Sequence, residues 1–122
     1  MTKQILIADD DDDLRQALAQ LLELEGYFIA GAPDTMTALV MARQTPYDLI
    51  LLDVLMPGAN GMDMLAALHG VLPAVPIIMM SGQTGRHTAN NALRAGACDF
   101  IVKPFDDEHV LLTVKRALSL PN

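Results

Sequence analysis

Three aspartates and one lysine, Asp9, Asp10, Asp53 and Lys103, each follow a run of apolar residues that is typical of a buried strand. In a chain of alternating strands and helices, the carboxyl ends of the parallel strands meet at one edge of the sheet, so we expect these side chains to be neighbours. Clustered carboxylates repel one another, and a divalent metal ion with oxygen ligands would hold them together. The lysine would then bind an anion delivered to the same place.

This set of residues suits phosphoryl chemistry. Mg²⁺ takes one or two carboxylates, keeps several waters and prefers a phosphoryl oxygen as a further ligand. Asp53 stands alone at the end of the middle strand and is the candidate nucleophile, which would attack phosphorus to form an aspartyl phosphate. Lys103 would pair with the phosphoryl group, the Ser81 hydroxyl would donate to one of its oxygens, and Gly82 would leave room for it to enter. Taken singly, each residue is as typical of an ordinary strand end, and the aspartates at 11–13 are more typical of a solvated helix cap.

The hydrophobic pattern predicts five strands alternating with five helices. The expected strands are Ile5–Ala8, Tyr27–Ala30, Leu49–Asp53, Pro76–Met80 and Phe100–Val102. The expected helices begin at Asp11 or Asp12, at Pro33–Asp34, after Gly61, near Thr84 and at Asp106–Asp107. The fourth helix carries Thr88, Asn90 and Asn91, which are weak helix formers, and should be the least stable. The alternation is typical of an α/β fold with one doubly wound, flavodoxin-like parallel sheet in the order 2-1-3-4-5.

Length and composition narrow the function. The 122 residues suit one domain, residues 1–122, and 52% hydrophobic against 19% charged residues indicates an ordered globular chain. A net charge of −7 argues against direct binding to nucleic acid or to anionic membranes. The single Cys98 excludes an internal disulfide and is expected to be a small core residue. His69, His87 and His109 are expected at solvated helix positions, and without a signal peptide or membrane span we expect a cytoplasmic protein.

Five short motifs resemble those of the receiver domains of two-component response regulators, the CheY-like family, over about residues 3–118. They are Ile-Leu-Ile-Ala-Asp-Asp at 5–10, Asp-Leu-Ile-Leu-Leu-Asp-Val-Leu-Met-Pro at 48–57, Ser-Gly at 81–82, Gly-Ala at 96–97 and Val-Lys-Pro-Phe at 102–105. None is strong alone, but in this order and spacing they are specific in combination.

The resemblance implies a phosphoacceptor domain. Asp53 would accept a phosphoryl group from the phosphohistidine of a sensor histidine kinase or of a phosphotransfer protein, or from a small acyl phosphate. Mg²⁺ would be held by Asp10, Asp53 and the Leu55 carbonyl, with Asp9 reaching it through water. Lys103 would contact the phosphoryl group, and its peptide bond to Pro104 would be cis. The domain would catalyse only its own phosphorylation and dephosphorylation, and would not be an enzyme acting on other substrates.

The resemblance also implies a switch. The added charge would draw the Ser81 hydroxyl inward, and Phe100 would either swing into the vacated space or remain simple core packing. The fourth helix, fifth strand and fifth helix would then contact an output domain or a downstream protein, through cations such as Arg86, Arg94, Lys115 and Arg116. Whether the same surface forms a homodimer is left open by the sequence.

Three rival functions were weighed. A Mg²⁺-dependent aspartyl phosphatase would need a general acid two residues after its nucleophile, where this chain has Leu55. A receiver-like adaptor that is never phosphorylated would be expected to lack Asp53 or Lys103, and both are present. A flavodoxin-type redox module would carry a phosphate-binding loop rich in Ser and Thr after the first strand, where acidic residues stand instead.

Overall fold

A computed structural model describes residues 2–53, 61–82 and 86–119, with only the backbone described for residues 61 and 86–89. Strands and helices alternate along the chain. The strands are β1 (Gln4–Ala8), β2 (Phe28–Ala32), β3 (Leu49–Asp53), β4 (Ile77–Ser81) and β5 (Asp99–Val102). The helices are α1 (Asp12–Glu23), α2 (Thr35–Gln44), α3 (Gly61–Val71), α4 (Arg86–Arg94) and α5 (Asp107–Leu118).

The strands form one parallel sheet in the order β2-β1-β3-β4-β5, which confirms the predicted doubly wound topology. Every residue of β3 and β4 is buried, as expected of central strands covered on both faces. β1 pairs with β2 on one side and β3 on the other, so the direction of winding reverses at β1 and β3. The carboxyl ends of these two strands therefore flank the crevice where α/β sheets bind their ligands.

Helices cover the two faces of the sheet with separate cores. On one face, α2, α3 and α4 pack on alternate strand residues, which include Leu6, Ile50, Leu52, Ile77 and Met79. On the other face, α1 and α5 pack on the intervening residues, which include Ile5, Ile7, Leu49, Leu51, Ile78, Met80 and Ile101. This division follows from the twofold alternation of side chains along a strand. We call them the α2–α4 face and the α1/α5 face. Within the described residues, no helix is both long and apolar enough to cross a bilayer.

Aspartates begin three of the helices. The side chain of Asp11 accepts a hydrogen bond from the Leu14 amide, and Asp34 and Asp106 cap α2 and α5 in the same way. The Thr37 amide bonded to Asp34 lowers the pKa of that carboxyl. At the other end of α1, Gly26 has a φ of 92°, which glycine adopts without strain. The predicted start of α1 is therefore confirmed.

The predicted end of β2 was wrong, and the structure adds detail to the predicted burials. β2 runs two residues further than predicted, because Gly31 and Ala32 still pair with β1. In α5 the buried residues are Val110, Thr113, Val114 and Ala117, and Leu111 and Leu118 pack half buried against the same core. Cys98 is half buried and packs against the core on the α1/α5 face, and burial together with the charge of Asp99 raises the pKa of its thiol.

Candidate phosphoacceptor and metal site

The carboxyl ends of β1, β3 and β5 bring two buried aspartates and a lysine together. Asp9 follows β1 and is fully buried, and Asp53 ends β3 with 5% of its surface exposed. The Lys103 ammonium, one residue beyond β5, donates to Oδ2 of Asp9 at 2.9 Å and to Oδ2 of Asp53 at 3.2 Å. The predicted meeting of strand ends is therefore present in the structure, at the crevice where the winding reverses.

The charges of this cluster act on Lys103. Burial alone would lower the pKa of the Lys103 ammonium, but the hydrogen bond to Asp9 and the charges of Asp53 and Asp9 outweigh burial, so its pKa is raised. The ammonium therefore stays protonated at neutral pH. It serves as a fixed positive charge 3.2 Å from the carboxylate of Asp53.

Each polar group of Asp9 forms a hydrogen bond within the protein. Its amide donates to the Ala32 carbonyl at 3.1 Å, and its Oδ1 accepts from the Asp11 amide at 2.9 Å. Its Oδ2 accepts from Lys103, and its carbonyl oxygen accepts from Arg15 at 2.6 Å. Both carboxylate oxygens of Asp9 are therefore engaged within the protein.

The residues present fit a hard divalent cation. Asp9, Asp10 and Asp53 each offer a carboxylate oxygen, and the three atoms lie within 4.8 Å of one another. Asp10 is exposed, so the cluster opens to solvent on its side. One lysine lies between two of the three carboxylates, so the cluster keeps an excess of negative charge. An all-oxygen donor set with this charge suits Mg²⁺. The predicted fourth ligand, the Leu55 carbonyl, lies outside the described residues.

Ser81 lies at the end of β4 beside the cluster but belongs to the opposite face of the sheet. Asp9, Asp53 and Lys103 continue the α1/α5 face, two residues after Ile7, Leu51 and Ile101 respectively. Ser81, which is 1% exposed, follows Met79 on the α2–α4 face, and its carbonyl accepts from the Lys103 amide at 2.7 Å. Phe100 is paired with Met79 in the sheet register and packs on this same α2–α4 face. The two predicted switch residues thus share a face with α4.

An open hollow of about 450 Å³ adjoins the cluster. It is lined by Asp11, Leu14, Gly82, Lys103, Pro104 and Phe105. A Cβ at Gly82 would meet nothing within 4 Å, so the space in front of this glycine is open, in line with the room predicted there. The Lys103–Pro104 peptide bond is cis, as the resemblance implies.

Sequence reasoning missed Arg15. Its guanidinium links the Asp9 carbonyl to the Asp12 carboxylate, each at 2.6 Å. The signal was available, because Asp12 and Arg15 are three residues apart at a predicted helix start and therefore share a helix face. Two of the predicted output cations are exposed and form long ion pairs, with Lys115 lying 3.7 Å from Glu25 and Arg116 lying 3.6 Å from Asp99.

The other predicted surface residues are placed as follows. Arg94 is exposed, whereas the side chains of Arg86 and His87 lie outside the described residues. His69 and His109 are exposed as predicted, and the His69 ring in addition lies against Gly96.

Comparison with known proteins agrees with this geometry. The family model described as the response regulator receiver domain matches residues 5–115. The chain belongs to the response regulator receiver domain family. A receiver domain protein of the CheY-like type from Methanospirillum hungatei superposes with a TM-score of 0.92 at 30% identity, covering 97% of this chain and 94% of that one.

Two longer regulators are also similar to this receiver domain. The regulatory protein AtoC of Escherichia coli is 36% identical over 117 residues, which is 96% of this chain and 25% of AtoC. The nitrogen assimilation regulatory protein NtrX of Azorhizobium caulinodans is 37% identical over 120 residues, which is 97% of this chain and 26% of NtrX. The chain thus spans about a quarter of the length of these relatives.

Proposed function

We propose that residues 1–122 form a phosphoacceptor domain, in which Asp53 accepts a phosphoryl group from the phosphohistidine of a sensor kinase or a phosphotransfer protein. The observation that carries the proposal is the Lys103 ammonium, which bridges Asp53 and Asp9 at the end of the fully buried strand β3. A carboxylate held beside a fixed ammonium has the partner it needs when a phosphoryl group arrives with its negative charge.

In the proposed reaction an Asp53 oxygen attacks phosphorus and the bond from phosphorus to the donor imidazole nitrogen breaks. The imidazole nitrogen keeps the electron pair of the broken bond and takes up a proton from solvent, so the products are an aspartyl phosphate and a neutral histidine. Lys103 turns from the Asp53 carboxylate toward the oxygens of the transferred group, and the Ser81 hydroxyl donates a hydrogen bond to one of them. Mg²⁺, when bound by Asp10 and Asp53 with Asp9 behind water, would neutralise charge on the phosphoryl oxygens.

The same residues would also set how long the phosphorylated state lasts. Attack of water on the phosphorus of the aspartyl phosphate returns the Asp53 carboxylate and releases inorganic phosphate. The domain would thus catalyse both steps on itself alone, without another substrate. Since the negatively charged domain is poorly suited to nucleic acid, any effect on transcription would pass through an output domain or a downstream protein, in the cytoplasm where sensor kinases act.

The proposed response passes through the opposite face of the sheet. A group carrying about two negative charges on Asp53 would draw the Ser81 hydroxyl toward it, and Ser81 and Phe100 lie on the face that α4 covers. α4, β5 and α5 each present an exposed apolar side chain, namely Leu93, Val102 and Leu112. We infer that these, with Arg94, form the surface that contacts the output partner or a second receiver domain.

Intact mass after incubation with Mg²⁺ and acetyl phosphate tests the central step. The parent should gain one phosphoryl group, and Asp53→Asn should gain none. Asp63→Asn, an exposed aspartate on α3, is the matched control and should gain the group like the parent. A parent that gains nothing from acetyl phosphate or from any histidine phosphodonor would instead support an adaptor that works without phosphorylation. Turnover of a free phosphomonoester would support a phosphatase.

A further inference from the structure

Arg15 connects the end of β1 to the first turn of α1. Its side chain is only 18% exposed. One guanidinium nitrogen donates to the carbonyl oxygen of Asp9 at 2.6 Å, and another donates to the Asp12 carboxylate at 2.6 Å. The planar fork of the guanidinium therefore fixes two acceptors in a single orientation.

The aliphatic stem of Arg15 occupies space that a side chain at Gly31 of β2 would fill. A Cβ built on Gly31 would lie 2.9 Å from Cδ of Arg15 and 3.1 Å from its Nε. The φ angle of Gly31 is not positive, so the backbone itself would accept alanine. It is the space taken by Arg15, rather than backbone conformation, that favours glycine here.

The contact with the Asp9 carbonyl reaches Asp10 through the peptide plane. That carbonyl belongs to the same planar unit as the amide nitrogen of Asp10. Holding its oxygen therefore fixes the plane from which the Asp10 side chain starts. Asp10 is the exposed member of the acidic cluster, whereas Asp9 is fully buried with both carboxylate oxygens bonded. The orientation of the Asp10 side chain should therefore depend most on contacts from outside the cluster.

We propose that Arg15 is a positioning residue for the metal site, which orients the Asp10 carboxylate through the Asp9 carbonyl. This inference rests on the proposed binding of Mg²⁺ by the cluster. The direction in which Mg²⁺ affinity changes when Arg15 is replaced distinguishes a positioning role from a purely electrostatic one. A guanidinium beside acidic ligands repels a cation, so loss of charge alone would strengthen Mg²⁺ binding, whereas loss of orientation weakens it.

Mg²⁺ affinity, measured by isothermal titration calorimetry without any phosphodonor, tests the inference. In Arg15→Met, which keeps an unbranched stem but no donor, the dissociation constant should rise about 10-fold or more, the range found when partners of metal ligands are removed. Arg15→Lys keeps the charge and one donor and should recover part of the affinity. Unchanged or tighter binding in Arg15→Met would overturn the inference.

Gly31→Ala supplies a second, independent arm. The added methyl displaces the Arg15 stem and should weaken Mg²⁺ binding in the parent. In an Arg15→Ala background it has no stem to displace and should add little, so the two effects should be strongly non-additive. Additive effects, or a Gly31→Ala that binds like the parent, would count against the proposal.

Controls keep the outcomes distinct. Gln16→Ala, at the exposed next position of α1, should bind Mg²⁺ like the parent. Thermal unfolding without Mg²⁺ identifies any variant that has lost its fold. A folded parent that binds no Mg²⁺ would contradict the proposed function itself. A parent that binds, with folded Arg15 variants that bind equally well, overturns only the role given to Arg15.

Discussion

The ammonium of Lys103 lies 3.2 Å from Oδ2 of Asp53, although the two residues come from strands that are not neighbours in the sheet. β4 separates their strands, and its Ser81 carbonyl accepts from the Lys103 amide at 2.7 Å, which fixes where the lysine side chain begins. The contact joins the candidate nucleophile to the ammonium that would contact the oxygens of the transferred phosphoryl group.

Lys103 should stabilise the fold up to alkaline pH. Because its folded pKa is raised above the ordinary value of 10.5, its contribution is complete below about pH 10.5 and is lost as pH rises through the higher folded value. Urea unfolding of the parent and of Lys103→Met between pH 8 and pH 12 would measure the difference, where both proteins share all other titrating groups. A difference that stays constant over this range would contradict the prediction.

The hollow beside the cluster should serve protein donors more than small ones. Leu14→Ala and Phe105→Ala remove apolar surface from its lining, so transfer from a histidine phosphodonor should slow about 10-fold, while labelling by acetyl phosphate with Mg²⁺ should change little. Val40→Ala, on the exposed side of α2, is the control for loss of an apolar side chain. Equal slowing with both donors would indicate damage to the site instead of loss of docking.

Gly96 should resist substitution more than Gly26. Both glycines have positive φ, but a Cβ at Gly96 would lie 2.6 Å from Cγ of His69, whereas a Cβ at Gly26 would meet nothing within 4 Å. Gly26→Ala should lower the free energy of unfolding by about 1 kcal/mol from backbone strain, and Gly96→Ala by about 1 kcal/mol more.

Adding His69→Ala to Gly96→Ala removes the ring that the new methyl would strike. The double variant should recover most of the excess loss, as measured by urea unfolding. If Gly26→Ala and Gly96→Ala cost the same, contact with His69 is not what makes glycine necessary at position 96.

α4 should open more readily than α5. Among the described side chains of α4, at residues 90–94, only Ala92 is buried, whereas α5 buries Val110, Thr113, Val114 and Ala117. The backbone amides of α4 should therefore exchange with deuterated solvent faster than those of α5. Phosphorylation should also change the exchange rates of α4 more than those of α5. Slower exchange in α4 than in α5 would contradict both this prediction and the route proposed for the switch.

The fold was predictable because hydrophobic runs and acidic caps agree along the chain. The fully buried strands β3 and β4 stand out as unbroken apolar segments, and Asp34 and Asp106 sit at predicted helix starts. The end of β2 was misplaced because Gly31 looks like a turn residue, and only its pairing with β1 keeps it in the sheet.

The clustering of Asp9, Asp53 and Lys103 was predictable from the sequence, because the carboxyl ends of parallel strands meet at one edge of the sheet. Contacts between side chains and backbone follow no such rule. The bond from Arg15 to the Asp9 carbonyl, and the use of Gly31 as space for the Arg15 stem, depend on how α1 packs on β1 and β2. The pairing of Lys115 with Glu25 likewise depends on how α5 lies against the end of α1, which no local pattern reports.

The two faces of the sheet separate two tasks, because side chains alternate between the faces along each strand. Asp9, Asp53 and Lys103 point to one side, and Ser81 and Phe100 to the other. We therefore expect substitutions on helices α2 to α4 to change the proposed response while Asp9, Asp53 and Lys103 keep their positions. An inserted or deleted residue within β4 would turn Ser81 to the other face of the sheet, so β4 should tolerate changes of side chain far better than changes of length.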